Sequence, residues 1–545
     1  MKRIFILLSI CVVATSSAIA QIDLGKGHQI SGSVETNNIV YINDSSLSTP
    51  APEGHFGSNT YVKVDYSYKR FSAGVQAEAY LPALQGYEMA TPNNDPQFSL
   101  ASKYIQWNDK YFTVMAGDVY DQWGNGLIMR TYEDRQLGFN NALEGGRVEV
   151  RYDQYFSIRG LYGRPRLYSM FKLCNGTSFY AEYLNDTWVG GADFSVSLGD
   201  IFRMKNTMFT IEGSYVNRKV ELPMQNIDFA AKGLTSNSLN MYSARMNLGF
   251  NNFTLRGEYV YKDNDLSTTL MDRARSGQAA LAEVMFNYGT LSITGTARML
   301  DNMGTMLTFN NEVTGTGNTL NYLPALTRQY TYMLANLNPY QVNVEGEIGA
   351  QGDIYYSLRN KNDRHRYWNF HVNYSTYFTL HKNQSASGER ERLWQDINFD
   401  VERQWNRRLK TTFLFSFQEW NPYKGAYHRT YVSNIFVADV QYKFDRKKSL
   451  RVEAQYLLSD EYEGDWVAGL VEFNLAPHWS FYVSDMYNID KTKKNYYSLG
   501  ASYTLRRTRF QLSFGRNRAG YICSGGVCRF SPEYTGVNLM ITSSF

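Results

Sequence analysis

The sequence predicts a transmembrane antiparallel β-barrel of about 24 strands, in a range of roughly 20 to 26. Three observations favour this fold class. Side chains alternate between apolar and polar along many short stretches, short and long connections alternate between those stretches, and aromatic residues make up 15% of the 545 residues. Barrel strands face lipid on one side and the lumen on the other, so the mean hydropathy of −0.42 is compatible with a membrane protein.

The alternation of side chains has the period of a β-strand. In residues 61–68, Val62 and Val64 alternate with Lys63 and Asp65. The same period of two recurs at 71–81, 253–261, 450–458 and 510–514. A period of two indicates strands with different surroundings on their two faces, and it excludes a helix bundle.

Short and long connections separate these strands. Short turns are predicted near 69–70, 108–110, 153–154, 200–205, 251–252, 289, 359–365, 405–407, 445–448, 476–478 and 505–508. Longer connections are predicted at 42–57, 82–99, 121–145, 164–188, 218–237, 303–343, 421–428 and 517–533. Outer-membrane barrels place turns on the periplasmic side and loops outside. The alternative is a soluble multi-domain β-sandwich or propeller, which the lack of a blade-length repeat disfavours.

The first twenty residues carry the three parts of a secretory signal. Lys2 and Arg3 precede an apolar run over 4–13, and small residues at 18–20 form a cleavage site. A run of about ten apolar residues is too short to span a bilayer. We therefore expect residues 1–20 to be a signal peptide that is cleaved during export to the outer membrane.

The rest of the chain, residues 21–545, is predicted to be a single outer-membrane barrel domain. Its composition and strand pattern are uniform from residue 28 onward, and no long linker or low-complexity stretch interrupts them. With 55 basic and 51 acidic residues the chain is nearly neutral, which argues against nucleic-acid binding. The expected partners are outer-membrane lipid and, during insertion, the barrel assembly machinery.

Two cysteines close together predict a disulfide. Cys523 and Cys528 bracket a four-residue loop, and an exported protein experiences oxidising conditions. Cys174 is left without a predicted partner and is interpreted as an inert loop thiol.

The last residues form an alternating strand that ends on an aromatic side chain. Val537, Leu539 and Ile541 lie on one face, and Phe545 is the last residue. Such an end resembles the signal by which the outer-membrane assembly machinery recognises barrels. We therefore predict that Phe545 is an assembly signal at the periplasmic rim and that the last strand pairs with the first, leaving no open edge.

Two stretches, 117–148 and 323–356, do not follow the strand pattern. Both are long, mix aromatic with charged residues, and carry Gly or Pro where the chain must bend. Together with the N-terminal region they resemble an uncharacterised family of outer-membrane barrels from the Bacteroidota. The resemblance implies the membrane location and leaves the activity open.

Neither stretch has the residue pattern of an enzyme or cofactor site. Gly124-Asn125-Gly126 lacks the context of a dinucleotide loop. Glu133 and Asp134 could bind a cation, but Arg130 and Arg135 beside them favour a salt-bridged loop. The seven histidines lack metal-ligand spacing, and no Ser lies in a Gly-x-Ser-x-Gly elbow. We expect no enzyme, cofactor or metal, although a Ser-His-Asp set distant in sequence stays open.

A barrel of this size encloses a lumen that must be open or filled. The segments 121–145 and 303–343 are predicted to fold into it as a plug or constriction, with Arg130, Arg135 and Arg328 paired to wall carboxylates such as Glu78, Glu258 or Glu453. The predicted plug residues are Trp123, Arg130, Tyr132, Glu133, Arg135, Arg328, Tyr330 and Tyr332. The alternative is that both segments are ordinary external loops.

Two functions fit these features. The first is a channel or gated porin-like transporter for small hydrophilic solutes, with saccharides stacking on Tyr and Trp, whose lumen is partly blocked by its own loops. The second is a non-conducting scaffold or assembly barrel that interacts with other outer-membrane or surface proteins. Single-channel conductance favours the first, and a stoichiometric partner in a pull-down favours the second.

Overall fold

The computed structural model describes residues 22–25, 27–87, 97–174, 177–220, 229–266, 273–307, 309, 319–363, 365–524 and 527–545. Within these residues, 24 antiparallel strands form a closed barrel, which confirms the predicted fold class and strand number. The predicted signal peptide lies outside the described residues. No helix among those described is long and apolar enough to cross a membrane.

The barrel strands are numbered in chain order. The first twelve are β1 (His28–Ile42), β2 (Phe56–Tyr68), β3 (Phe71–Tyr80), β4 (Gln97–Asn108), β5 (Phe112–Val119), β6 (Leu143–Tyr152), β7 (Phe156–Cys174), β8 (Thr187–Ser197), β9 (Thr207–Val220), β10 (Ser238–Phe250), β11 (Phe253–Leu266) and β12 (Ala274–Tyr288). The others are β13 (Leu291–Asp301), β14 (Gly346–Arg359), β15 (Tyr367–Thr379), β16 (Arg392–Gln404), β17 (Leu409–Trp420), β18 (Tyr431–Lys443), β19 (Lys448–Ser459), β20 (Trp466–Leu475), β21 (Trp479–Asn488), β22 (Asn495–Leu505), β23 (Thr508–Asn517) and β24 (Tyr534–Ser544).

Shorter elements accompany the barrel. They are the strands Ile22–Gly25, Gln122–Trp123, Met129–Arg130, Glu133–Asp134, Phe139–Asn140, Thr177–Tyr183, Gly520–Ser524 and Val527–Ser531, the α-helix Leu198–Ile201, and the 3₁₀ helices Leu334–Asn336 and Lys382–Gln384. Most of these lie in connections, so the barrel itself is almost entirely sheet.

The seam between β1 and β24 closes the barrel. Residues 33–42 pair with residues 535–544 in continuous antiparallel register. Beyond this register, the amide of Phe545 donates to the carbonyl oxygen of Gly32 at 2.9 Å, and the amide of Gly32 donates back at 2.8 Å. A Cβ on Gly32 would lie 2.5 Å from Cζ of Phe545, so this glycine makes room for the ring.

Removing Phe545 should lower the yield of assembled barrel, because it removes two seam hydrogen bonds and the ring over Gly32. Phe545→Ala keeps the backbone bonds and separates the two contributions. The measurement is the fraction of heat-modifiable, protease-resistant barrel in the membrane. Assembly of the truncated chain at wild-type yield would contradict both the seam contribution and the predicted assembly signal.

The two ends of the barrel differ in their connections. Eleven short turns lie at one end, here called the turn end, and each falls where the sequence predicts one. The long connections lie at the opposite loop end. The prediction missed the loop-end connections that follow β11, β15, β19 and β21. It was also wrong at 164–188, because β7 continues to Cys174 and the chain returns along Thr177–Tyr183.

The outer surface carries an apolar band. Its side chains alternate with buried inward ones, and Val75, Ile105, Phe413 and Val483 are half exposed or more. Aromatic residues concentrate at both edges of this band. Tyr162 stacks on Trp188 toward the loop end, with ring centroids 5.1 Å apart, and Trp479 stacks on Phe481 toward the turn end. This is the surface that a barrel presents to a bilayer.

Candidate functional site: a filled lumen

The connection between β5 and β6, called the first segment, folds into the barrel. Its two short hairpins pair Gln122–Trp123 with Met129–Arg130 and Glu133–Asp134 with Phe139–Asn140. The side chain of Trp123 is fully buried in a cluster that includes Val189, Val216 and Val260 on the lumen face of the wall. The cluster is an apolar core built inside the lumen.

A glycine in the wall leaves space for the indole ring of Trp123. A Cβ on Gly191 in β8 would lie 2.8 Å from Cζ3 of Trp123. The wall is therefore shaped to receive a large side chain from the first segment, as a protein interior is shaped around its core residues.

Aromatic rings continue this packing toward the second segment, which is the connection between β13 and β14. The ring of Tyr132 lies 5.0 Å from that of Phe139 and 5.8 Å from that of Tyr322, measured between centroids. The guanidinium of Arg130 lies 4.3 Å over the Tyr132 ring. The two segments are thus packed against each other as well as against the wall.

Charged groups hold the other side of the first segment. Arg135 forms an ion pair with Glu35 of β1 at 3.1 Å and donates to Gln76 of β3 at 2.9 Å. The Gln76 side chain also donates to Glu133. Burial would lower the pKa of Arg135, but the carboxylates of Glu133 and Glu35 outweigh it and raise that pKa.

The wall carboxylates predicted to pair with arginines of the segments have other partners. Glu78 pairs with Arg166 of β7, and both side chains are buried. Glu258 of β11 does contact the first segment, but it accepts hydrogen bonds from the backbone and side-chain nitrogens of Asn125 at 2.9 and 2.8 Å. Glu453 pairs with Arg451 of its own strand. The predicted partners are therefore wrong, because the wall itself neutralises Glu78 and Glu453, and Asn125 and Ser243 donate the hydrogen bonds of Glu258.

Wall side chains bind the second segment, predicted as 303–343, through its backbone. Its described residues contain little regular structure, so its carbonyl groups need donors from elsewhere. The wall supplies them. Lys262 donates to the carbonyl oxygen of Gly304, Arg218 to Met306, Thr187 to Leu307, Arg298 to Pro324, Tyr377 to Leu326 and Gln418 to Ala335.

These donors were not predicted from the sequence, although the sequence contains a signal for them. Arg218 shares the inward face of β9 with Val216 and Val220, both fully buried. A cation between two buried aliphatic positions needs a partner inside the barrel. Lys262 in β11 and Arg298 in β13 each lie two residues from one fully buried aliphatic residue, Val260 and Leu300 respectively.

The far end of the second segment crosses to the opposite wall. Its 3₁₀ helix buries Leu334 and Ala335 among Leu414, Ile435 and Leu457, with Tyr332 packed against the same cluster. The amide of Leu334 donates to the side chain of Gln455 at 2.9 Å. Burial raises the pKa of the Tyr332 phenol to about 12, and nearby Asp439 and Glu453 act in the same direction.

Arg328 and Tyr330 join this segment to β16. Arg328 forms an ion pair with Asp400 at 2.8 Å, and His371 of β15 lies 3.3 Å from the same carboxylate. The Tyr330 hydroxyl donates to Asp396 and accepts from Asn398. All eight predicted plug residues therefore contact the lumen side of the wall or one another.

A ladder of opposite charges lines the lumen on the turn side of the first segment. Asp121, at the start of that segment, lies 3.1 Å from Arg147 and 3.0 Å from Arg159. Arg159 also pairs with Asp193 at 2.9 Å, and Arg245 extends the ladder from there. In this ladder the segment supplies one acid and the wall supplies the cations, a contact that the sequence did not predict.

A pocket opens at the loop end above the second segment. Its volume is about 370 Å³. Its aromatic and basic lining residues are Tyr340, Trp394, Trp420, Lys424, Arg518, Tyr521 and Phe530. A second cavity of about 400 Å³ shares Tyr340 and Lys424 with it and reaches Arg328 and Tyr330. The two cavities lie between the second segment and the hairpin 520–531, here called the disulfide hairpin.

In this hairpin Cys523 is bonded to Cys528. Replacing both cysteines with serine should lower the free energy of hairpin unfolding by about 2 kcal/mol or less, since the closed loop is short. Hydrogen exchange of residues 520–531 measures the loss. Peptide mapping without reduction checks the pairing, and a free thiol at either position would contradict it.

The whole chain, residues 1–545, matches a family of unknown function, DUF6029. The chain belongs to this family. Among curated protein sequences nothing matches the chain.

Solved structures show likenesses that are weak in sequence. The translocation pore of the P pilus usher PapC is 9% identical, with a TM-score of 0.43, over 94% of this chain and 99% of that one. The siderophore receptor PirA from Pseudomonas aeruginosa is 9% identical, with a TM-score of 0.40, over 95% and 80%. OccK3 (OpdO) from the same organism is 10% identical, with a TM-score of 0.35, over 79% and 96%.

Proposed function

We propose that the protein is an outer-membrane channel for small hydrophilic solutes whose lumen is partly blocked by its own two segments. The observation that carries the proposal is the pair of cavities beside the second segment. They begin at the loop end and reach Arg328, whose partner Asp400 lies on the wall. A modest movement of the disulfide hairpin or of residues 324–342 would extend this route through the barrel.

The membrane orientation is part of the same proposal. The apolar outer band supports contact with outer-membrane lipid, and the short turns would face the periplasm with the loops outside. Residues 1–20 are proposed to be a cleaved signal peptide, leaving 21–545 as one barrel domain inserted by the assembly machinery. The family resemblance supports an origin in the Bacteroidota. We propose no catalytic, cofactor or nucleic-acid role.

The lining of the loop-end pocket supports saccharides as the solute class. Tyr340, Trp394 and Trp420 offer aromatic faces, and Asn338 and Asn421 offer amide groups at the same pocket. Aromatic faces pack against the apolar faces of sugar rings, while amides pair with hydroxyl groups.

Liposome swelling with a disaccharide and single-channel recording test the proposal together. Wild-type protein should give small conductance steps and slow swelling, and Trp420→Ala should change disaccharide flux. The matched control is Trp405→Ala, an outward-facing tryptophan at the turn end that is 42% exposed. An assembled barrel without conductance or swelling would contradict the channel.

A non-conducting scaffold is the second candidate, and one observation favours it. The segments share a continuous apolar core with the wall, as elements of a folded domain do. A barrel that conducts nothing and recovers a stoichiometric outer-membrane or surface protein in a pull-down would fit this function.

A further inference from the structure

The turn end of the barrel carries a group of basic side chains on two neighbouring turns. Arg407 and Arg408 lie in the turn between β16 and β17, and Arg446 and Lys447 lie in the turn between β18 and β19. The amide of Lys443 donates to the carbonyl oxygen of Arg408 at 2.8 Å, so the two turns are fixed beside each other.

A cavity of about 560 Å³ lies between these turns. Its basic lining residues are Arg407, Arg408, Lys443, Arg446, Lys447 and Lys448, and we call it the basic cleft. Asp445 is its one acidic lining residue, and that carboxylate accepts the backbone amides of Lys447 and Lys448 at 2.6 and 2.9 Å. Asp445 therefore stabilises the turn. Its single negative charge against six basic residues leaves the cleft with a net charge of +5.

The basic side chains of the cleft are not paired with described carboxylates, unlike two basic residues close to them in the chain. None of its six basic side chains forms an ion pair with a residue that the structure describes, and all six are exposed. By contrast Lys410, two residues beyond Arg408, pairs with Glu402 at 2.8 Å. Arg451, on the strand that Lys448 begins, pairs with Asp439 and Glu453. Clustered like charges repel, so an anion bound between them would relieve that repulsion.

The direction of the cleft limits where its ligand comes from. Tyr442 and Phe444 pack against each other on the outer face, and Lys443 between them therefore faces the lumen. Ser449, its partner in the register, and Asn474 complete the inward lining with a hydroxyl and an amide. The cleft thus opens toward the lumen and the solution at the turn end, rather than into the apolar band.

We propose that the basic cleft binds a multivalent phosphate-bearing anion at the turn end of the barrel. Arginine forks make paired hydrogen bonds to phosphate oxygens, and lysines add point charges that phosphate neutralises. The cavity has room for more than one phosphate group, which matches the number of uncompensated cations. The source is either a soluble anion or a phospholipid headgroup at the rim. The site is separate from the proposed solute route. A negative result for anion binding would therefore not contradict the proposed channel.

Binding of inorganic pyrophosphate to the full-length barrel in phosphatidylcholine nanodiscs tests the site by calorimetry. Combining Arg407→Gln, Arg408→Gln and Lys447→Gln should weaken binding by roughly tenfold or more. Raising the salt from about 20 to about 200 mM should weaken wild-type binding as well, since the cleft is exposed. The control combines Lys69→Gln, Arg70→Gln and Lys110→Gln at other turns of the same end, with the same change of net charge, and should bind as wild type does.

Nanodiscs containing phosphatidylglycerol distinguish the two sources. If the headgroup occupies the cleft, wild-type affinity for pyrophosphate should fall in these discs, while the residual affinity of the triple variant should not. If the ligand is soluble, the wild-type affinity should be the same in both lipids. Equal pyrophosphate affinity in the triple variant and the control, or no saturable binding in either lipid, would overturn the proposal.

Discussion

Removing residues 122–141 and joining Asp121 to Ala142 by a short Gly-Ser linker should raise the single-channel conductance severalfold. The deletion removes Trp123 and both inner hairpins, while Asp121 keeps its ion pairs with Arg147 and Arg159. The hydrophobic core on one side of the lumen then loses Trp123, Leu127, Ile128 and Met129. A barrel of 24 strands is wide enough for a water-filled channel, so removing one of its two fillers should open part of the lumen. Entry of hydrophilic antibiotics into cells should increase in parallel.

The control for this deletion is the same linker in place of residues 489–494, a loop-end connection that does not contribute to the buried lumen clusters. It should leave conductance at the wild-type level. If the barrel without 122–141 assembles normally and conducts no more than the parent, the first segment does not block the pore. The scaffold function would then be favoured.

Trp123→Ala should lower the free energy of opening of the first segment by about 3–5 kcal/mol, the usual cost of deleting a large buried aromatic side chain. The indole is fully buried between segment and wall, and Gly191 cannot fill the space that it leaves. Hydrogen exchange of residues 122–140 measures local opening directly, without requiring reversible unfolding of the barrel.

Trp479→Ala is the matched control, because this indole is 45% exposed on the outer surface. It should change exchange in the first segment by less than about 0.5 kcal/mol. Wild-type protection of residues 122–140 in the Trp123→Ala protein would mean that the segment is held by its charged contacts alone, and the apolar core would then contribute little.

The barrel was predictable because strand period and turn chemistry are local properties of the sequence. Val62 and Lys63, for example, are assigned to opposite faces of a strand by their alternation alone, without information about residues distant in sequence. The error at 164–188 has a different origin: whether β7 ends near residue 164 or continues to Cys174 depends on a partner strand, Thr177–Tyr183, that pairs with it beyond the barrel rim.

The lumen site was predictable in its location and not in its contacts. Segments 121–145 and 303–343 break the strand pattern, so their position could be inferred from what the barrel must contain. Their partners depend on which wall groups are already neutralised, as Glu78 is by Arg166, and that depends on pairing between strands far apart in sequence. The role of the eight residues in closing the pore stays a prediction.

Wall side chains donate hydrogen bonds to the carbonyl groups of the second segment. This kind of contact affects how the sequence of the segment can evolve. Every residue type carries the same carbonyl, so the residues at 304, 307 and 326 can drift without losing the hydrogen bond that positions them. The donors have no such freedom, since Arg298 also pairs with buried Glu347. Among homologues we expect the segment to diverge in sequence at constant length, while Lys262 and Arg298 persist.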